Sequence, residues 1–375
     1  MKTGIFIACC LVLLQSCETI NDTNPATGLN DVPFLDAWIP HDEYASLLSN
    51  RWGDEEAPIE IFMGRNRYTG IVEAQGSGSR YHARWSYKLV LDGSDFLNNL
   101  ASSNLSAQVL DRSMLRTTLA SHVFSSLGFP SFEHFHVFLS INGRNKGLYV
   151  QIERVDEDFL SRRGMPVHEL IKIGFGTRFS YRGDMHLERF FTSVIPKNGN
   201  LNNMGDLVRT LDTTKAEAIF QEVGRYLDVR EYLRYHAAAS ILNHIDGFSN
   251  NLLFWKATPD QPYSIIPWDF DKVLFDGEEV GLYGDNDIIH SLFRNDSCKA
   301  LYSRKARAML DTLITPERLF PLLDAESRRI GSAWALDPAL GLSGFSLERE
   351  TERLKQLIGA RRAYFLEQLG TLGEL

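Results

Sequence analysis

One stretch of the chain concentrates oxygen-bearing side chains at informative spacing. Asp246 is followed by Asn250 and Asn251, then by two apolar runs, Leu252 to Lys256 and Tyr263 to Ile266, joined by the Pro-rich segment from Thr258 to Pro262. Pro267-Trp-Asp-Phe-Asp271 closes the series. Two strands that run out and back bring the residue before the first beside the residues after the second. Asn251 and Asp269 are therefore expected as neighbours, with Asp246 one loop away. An Asp that accepts a hydroxyl proton, with an Asn and an Asp offering hard oxygens to Mg²⁺ or Mn²⁺, is what phosphoryl transfer requires. Asp271 adds a further metal-ligand candidate, and Asn250 is the alternative to Asn251. His244, at the end of an expected helix, reads first as a capping or packing residue.

The Asp-x-x-x-x-Asn spacing from Asp246 to Asn251 is the one a protein-kinase catalytic loop uses, and Asp269 falls where a metal-binding Asp after the next hairpin would fall. Complementary parts lie upstream. Gln75-Gly-Ser-Gly-Ser-Arg80 is a glycine-rich turn whose backbone N–H groups could approach phosphates, so Gly78, Ser79 and Arg80 are cofactor-binding candidates. On the strand that follows, Arg84, Ser86, Lys88 and Val90 share one face and Trp85, Tyr87, Leu89 and Leu91 the other. Lys88 is the candidate phosphate lysine and Arg84 the second choice. Glu153 is placed to anchor a hinge or to pair with that lysine.

These residues need a scaffold. Strands are expected at Glu60 to Met63, Tyr68 to Ala74, Arg84 to Leu91, Phe135 to Ile141 and Gly147 to Ile152, the last two joined by the hairpin signal Asn142-Gly143. One helix interrupts them, with Asp111 as its N-cap, apolar residues Leu115, Leu119, Val123 and Leu127, and a stop at Gly128. Beyond Glu153 the pattern turns helical: Met204 to Leu211, Thr214 to Leu227, Asp228 to Asn243 and a long amphipathic helix from Ser346 to Leu369. The fold class is α+β, with a strand-rich lobe over 32–153 and a mainly helical lobe over 154–375.

The N-terminus reads as an export leader. Lys2 precedes an 11-residue apolar run, Gly4 to Leu14, too short to span a membrane and closed by Leu14-Gln15-Ser16-Cys17. That tetrapeptide is similar to a bacterial lipobox, so residues 1–16 are expected to be removed and Cys17 lipidated, with ordinary signal-peptidase cleavage the alternative. Residues 17–31 form a polar tether, and the membrane is met through the lipid alone. Three of four cysteines lie in this leader or at its boundary, which leaves Cys298 in the folded domain and no disulfide framework. A formal net charge of -9 argues against a nucleic-acid partner held by phosphate contacts.

From about Arg67 to Leu369 the chain resembles the spore-coat protein H (CotH) kinase family of atypical, secretory-type kinases. The resemblance is carried by Gly78-Ser-Arg, Ser86-Tyr-Lys-Leu, Leu110 to Arg116, Asn142-Gly-x-x-x-Gly-Leu-Tyr-Val-x-Ile-Glu153, Asp246-x-x-x-Asn250-Asn251, Pro267-Trp-Asp-Phe-Asp271 and Gln356-Leu-Ile-x-x-Arg361. It implies a two-lobed kinase-like fold and an ATP- and Mg²⁺-dependent protein kinase. Asp246 would be the catalytic-loop Asp, Asp269 the metal-binding Asp and Asn251 the second metal ligand. The chain departs from the usual kinase pattern in one respect. Between Arg112 and Leu127 no acidic residue is present, so the glutamate that would pair with the phosphate lysine cannot come from this helix. Asp111 and Glu153 are the substitutes.

Three readings follow. The first is a kinase acting on Ser or Thr of a secreted or surface protein, with transfer of AMP or another group as its variant. The second is a non-catalytic, kinase-like surface lipoprotein that serves binding or assembly. The third, a nucleotide-sugar glycosyltransferase using Asp269-Phe-Asp271, calls for a parallel αβ repeat before the motif, and the strand pattern does not supply one.

Overall fold

The computed structural model describes residues 29, 31–76, 78–93, 100–276, 279–284 and 286–372. The expected leader, Cys17 and most of the tether lie outside these residues, as does Ser77 of the glycine-rich turn. Among the described residues no helix is long and apolar enough to cross a membrane.

The N-terminal half runs β1 (Phe34–Trp38), α1 (His41–Ser49), β2 (Glu56–Met63), β3 (Asn66–Gln75), β4 (Ser86–Leu91), β5 (Ser102–Ser106), α2 (Arg116–Ser126), β6 (His134–Ile141) and β7 (Arg144–Glu153). Its strands form a closed barrel in the order β1-β2-β3-β4-β5-β7-β6. Closure comes from a parallel pairing in which Phe34 to Ala37 lie opposite Phe138 to Ile141. Tyr87, Leu89 and Leu91 point inward with Leu35, Ile61, Val72, Val137 and Tyr149, so the barrel is a packed core and not a ligand channel.

Closure corrects the five-strand expectation. β5 reads Ser-Ser-Asn-Leu-Ser and carries no apolar alternation; it holds its place through buried polar contacts, such as Gln151 Nε2 donating to Ser103 Oγ at 2.9 Å. β1 is a short strand beside the tether, and it earns its place by bridging β2 and β6. At the expected hairpin, Asn142 and Gly143 both take positive φ, 52° and 73°, as a two-residue turn between β6 and β7 requires. The helix α2 starts later than Asp111, because residues 111 to 115 form a tight turn in which the Asp111 carboxylate accepts from Ser113 N at 3.0 Å and Arg116 N at 2.9 Å.

The C-terminal half contains α3 (Glu157–Arg162), β8 (Glu169–Ile173), α4 (Asp184–Phe190), β9 (Phe191–Ile195), α5 (Asn202–Thr213), α6 (Ile219–Val223) and α7 (Val229–Ile241). It continues with β10 (Leu252–Lys256), β11 (Ser264–Pro267), α8 (Asp287–Leu292), α9 (Asp296–Thr312), α10 (Pro316–Ala335) and α11 (Leu347–Leu372). The expected hairpin is the edge of a four-stranded antiparallel sheet, β11-β10-β8-β9, whose other two strands had no clear sequence signal. Asp228 caps α7 as its side chain accepts from Glu231 N at 3.0 Å. Thr214 to Leu227 breaks into a 3₁₀ turn and the short α6. Among the described residues the only parallel ladder between strands closes the barrel, beside one isolated parallel bridge between Leu227 and Tyr263, so the parallel αβ repeat of the glycosyltransferase reading is not part of the described fold.

Glu153 joins the two halves. At the end of β7 it is buried, receives Arg163 at 2.6 and 2.9 Å together with Arg162, and accepts from Glu133 N at 2.9 Å. Its carboxylate is thus spent on the hinge, and of the two roles expected of it only the anchor is realised.

Candidate functional site

The site is built on the loop after α7 and the loop after β11. α7 ends at Ile241, and Arg361 of α11 reaches over its last turn, donating to Ser240 O at 2.6 Å and to Val280 O at 2.8 Å. A buried guanidinium thereby adds a donor to the last turn of the helix and ties it to the segment at Val280. Asn243 turns the chain with φ of 49° and staples the two loops together: its Nδ2 donates to Phe275 O at 3.0 Å and its Oδ1 accepts from Val280 N at 2.8 Å. Asp246 follows in a single 3₁₀ turn, and Asn251 N donates to Asp246 O at 2.8 Å, closing the six-residue loop into a rigid unit. The adjoining segment braces it from outside, since Thr177 N donates to Ser249 O at 2.9 Å.

β10 and β11 pair with Leu252 opposite Pro267. This register brings Asn251 and Trp268 to the same end of the hairpin, one residue before Asp269. Asp269 takes the left-handed conformation, φ 57°, which is uncommon for a residue with a side chain and costs backbone energy. Phe270 then turns into the core, where its ring stacks on Phe124 of α2 at 5.1 Å and meets Phe132 at 5.2 Å and His244 at 5.6 Å. With Phe270 anchored, Asp269 and Asp271 are held half-buried at the junction of the two halves.

The electrostatics are those of crowded acids. Burial, then the charge of Asp246, raises the pKa of Asp269, while Lys172 and Lys272 oppose the rise. Asp271 is pushed well above the ordinary carboxylate range by burial and next by Asp269. Lys272 Nζ lies 2.6 Å from Asp246 Oδ2. Burial works against its ammonium form, but the Asp246 hydrogen bond and the charges of Asp246, Asp271 and Asp269 outweigh it, and its pKa is raised. His244 is fully buried, and burial lowers its pKa to about 4 against the opposing pull of the Asp246 charge and the Trp268 backbone. It packs under the loop as an uncharged ring.

Among the described residues no group of three or more His, Cys, Asp or Glu side chains forms a ready metal cage. Mg²⁺ does not demand one, because it is commonly held by one or two carboxylates together with substrate phosphates and water. The donor set fits that mode: among the described residues neither carboxylate of Asp269 and Asp271 nor the Asn251 amide has a hydrogen-bond or ion-pair partner. Asn250 is adjacent and half-buried.

The upstream candidates are placed differently. Lys88 projects from the outer face of the barrel, opposite to Tyr87 and Leu89, and its Nζ pairs with Glu73 of the neighbouring strand at 2.6 Å. Asp111 is engaged by the turn before α2 and by Arg116 at 3.5 Å, so neither proposed substitute acid pairs with Lys88. Arg80 is buried and donates to the carbonyls of Arg51, Gly53 and Ala74, bracing the turn from within. Ser79 Oγ donates to Gln75 O at 2.9 Å, and Gly78 is the N-cap of the same short 3₁₀ turn. Arg84 is held by Asp337 at 2.9 Å and lies over the Tyr149 ring at 4.5 Å. Arg80 and Arg84 thus brace the first half through the Arg51, Gly53 and Ala74 carbonyls and through Asp337, while among the described residues Arg80 Nε and Arg84 Nε and Nη2 have no hydrogen-bond partner. The residues that sequence reasoning passed over are Asn243, Lys172 and Lys272. A lysine directly after Asp-Phe-Asp was the one available signal.

Fold and site together define an α+β protein with a strand barrel, a helical half and one acidic, lysine-flanked loop pair between them. The chain belongs to the CotH kinase protein family, whose model matches residues 72–365. It is 23% identical over 358 residues to the inner spore coat protein H of Bacillus subtilis (strain 168), covering 92% of this chain and 99% of that one. Among solved structures, it is similar to the proinflammatory kinase CtkA of Helicobacter pylori at 16% identity and a TM-score of 0.36, over 76% of this chain and 93% of that one.

Proposed function

We propose that this protein is a two-lobed, ATP-dependent kinase that uses Mg²⁺ or Mn²⁺ and transfers phosphate to Ser or Thr of an exported or surface protein. The observation that carries the reading is the convergence of Asp246, Asn251, Asp269 and Asp271 on two stapled loops, with the side chains of the last three in no hydrogen bond or ion pair among the described residues. Asp246 receives the acceptor hydroxyl proton. Asn251 and Asp269 hold the metal, with Asp271 and Asn250 beside them. When bound, the metal supplies positive charge to the phosphates. Closure of the loops by Asn243 and Arg361 fixes the geometry, which is most of what phosphoryl transfer asks of a protein.

Family membership supports the kinase assignment, and the spore coat in the name of the Bacillus relative supports a surface setting. The leader sequence adds a lipid anchor at Cys17 and hence a cell-envelope location. Intact mass of the mature protein tests this: a diacylglyceryl Cys17 is expected, and a chain starting at another residue would refute it. Transfer is tested with ATP labelled at the α or the γ phosphate. Label from γ alone fits a kinase, label from α fits AMP transfer, and loss of both, with no nucleotide bound by calorimetry, fits a non-catalytic module.

A further inference from the structure

The cation expected on the first lobe is engaged elsewhere, with Lys88 paired to Glu73 on the barrel wall. Two other ammonium groups face the acidic loops. Lys272 lies 2.6 Å from Asp246, and its side chain is 29% exposed, so it is not sealed from an incoming ligand. Lys172 is an exposed residue of β8 that lies opposite Leu253, which in turn lies opposite Ile266, three residues before Asp269. Its charge acts on Asp269. A triphosphate approaching Asp246, Asp269 and Asp271 meets three carboxylates, and a metal ion alone leaves the oxygens of the transferred group without a protein donor.

We propose that Lys272, backed by Lys172, is the cation that contacts the transferred phosphoryl group, so that the phosphate grip comes from the C-terminal half and not from Lys88. The inference rests on the phosphotransfer reading. In the step, the acceptor hydroxyl oxygen bonds to the γ-phosphorus as the bond from that phosphorus to the β,γ-bridging oxygen breaks. The nucleoside diphosphate leaves with the electron pair, and the hydroxyl proton passes to Asp246. An ammonium has three donors. One serves Asp246 and the others are available to equatorial phosphoryl oxygens, so a single side chain aligns base and phosphate.

The test uses the full chain with the substitutions K272M, K272R, K172M, K88M and D269N. Affinities for ADP and for a non-hydrolysable ATP analogue are measured by calorimetry with Mg²⁺, and transfer from γ-labelled ATP to dephosphorylated casein and to the protein itself is followed. K272M is expected to lower kcat by about 10²–10³-fold, the size of losing one preorganised donor. It should also reduce the preference for the ATP analogue over ADP by roughly tenfold, the size of one charge-assisted hydrogen bond. K272R should recover much of both, and K172M should show a smaller loss of the same kind. Thermal midpoints show that the variants are folded. The proposal is overturned if the wild type transfers phosphate and K272M matches it within about threefold while keeping the analogue preference, or if K88M takes the loss instead. A wild type no more active than D269N would sink the phosphotransfer reading and this inference with it.

Discussion

The ring of Phe270 lies 5.1 Å from that of Phe124 with 14° between their planes, joining the loop that carries Asp269 and Asp271 to the helix of the first half. Two flanking acids are positioned by one buried aromatic, as two carboxylates facing a cleft could not position themselves. Phe270→Ala is expected to cost about 3–5 kcal/mol of stability, the usual range for a buried Phe. It should also abolish any rise in melting temperature on adding Mg²⁺ or Mn²⁺. Chemical denaturation and metal-dependent thermal melts check both; a variant that keeps the full metal response would show that Phe270 fills space without placing the acids.

Asp271 carries a second expectation. Its folded pKa lies well above the ordinary 3.8 because of burial and then Asp269. A carboxyl with a raised folded pKa contributes stability below its unfolded pKa and loses it as pH rises through the folded value. Asp271→Asn removes this loss, so the metal-free variant should melt above the wild type at neutral pH, and the gap should shrink as the pH falls toward the carboxylate range. Mg²⁺ or Mn²⁺ should raise the wild-type midpoint more than that of the variant. A gap that widens on acidification would contradict the assignment.

His244 should remain neutral across the range in which an unperturbed histidine titrates, since burial takes its pKa to about 4. Its ring resonances in an NMR titration are expected to stay constant from about pH 8 down to about pH 5.5, below the ordinary value of about 6.5. Stability should fall as the pH drops from about 6.5 to about 4, because over that window the unfolded chain binds the proton and the folded ring does not. A titration midpoint near 6.5 would place the ring in contact with solvent.

Asp337 ties the C-terminal region to the barrel: it receives Arg84 at 2.9 Å and Leu148 N at 2.6 Å, and is fully buried. Removing one member of a buried ion pair costs about 3–5 kcal/mol because the other charge stays buried and unpaired. Asp337→Ala should lower the denaturation midpoint by that measure, and Asp337→Ala combined with Arg84→Met should lose less than the two single effects added. Strict additivity would mean that the pair is not coupled.

The juxtaposition of the candidate site residues was legible because hairpin geometry is local. Once Leu252 to Lys256 and Tyr263 to Ile266 pair, Asn251 and the Asp269 segment must meet, whatever the rest of the chain does. The α7 cap and the Asn142-Gly143 turn were legible for the same reason. Barrel closure was not, because β1 and β6 lie about a hundred residues apart and β5 has no apolar alternation. The fates of Arg80, Arg84 and Glu153 were likewise hidden: each is a charged residue beside a glycine-rich turn, a strand or a hinge, and only the fold reveals the carbonyls, Asp337 and Arg163 that engage them. Lys272 was overlooked since its partner Asp246 is 26 positions away.

The central claim is that Asp246 and Asp269 support phosphoryl transfer. The most direct test is transfer of label from γ-labelled ATP with Mg²⁺ by wild type, Asp246→Asn and Asp269→Asn proteins of equal thermal stability. The account predicts incorporation by the wild type and a loss of at least about 10²-fold in each variant, as expected when a base or a metal ligand is removed. Equal incorporation by all three would contradict it.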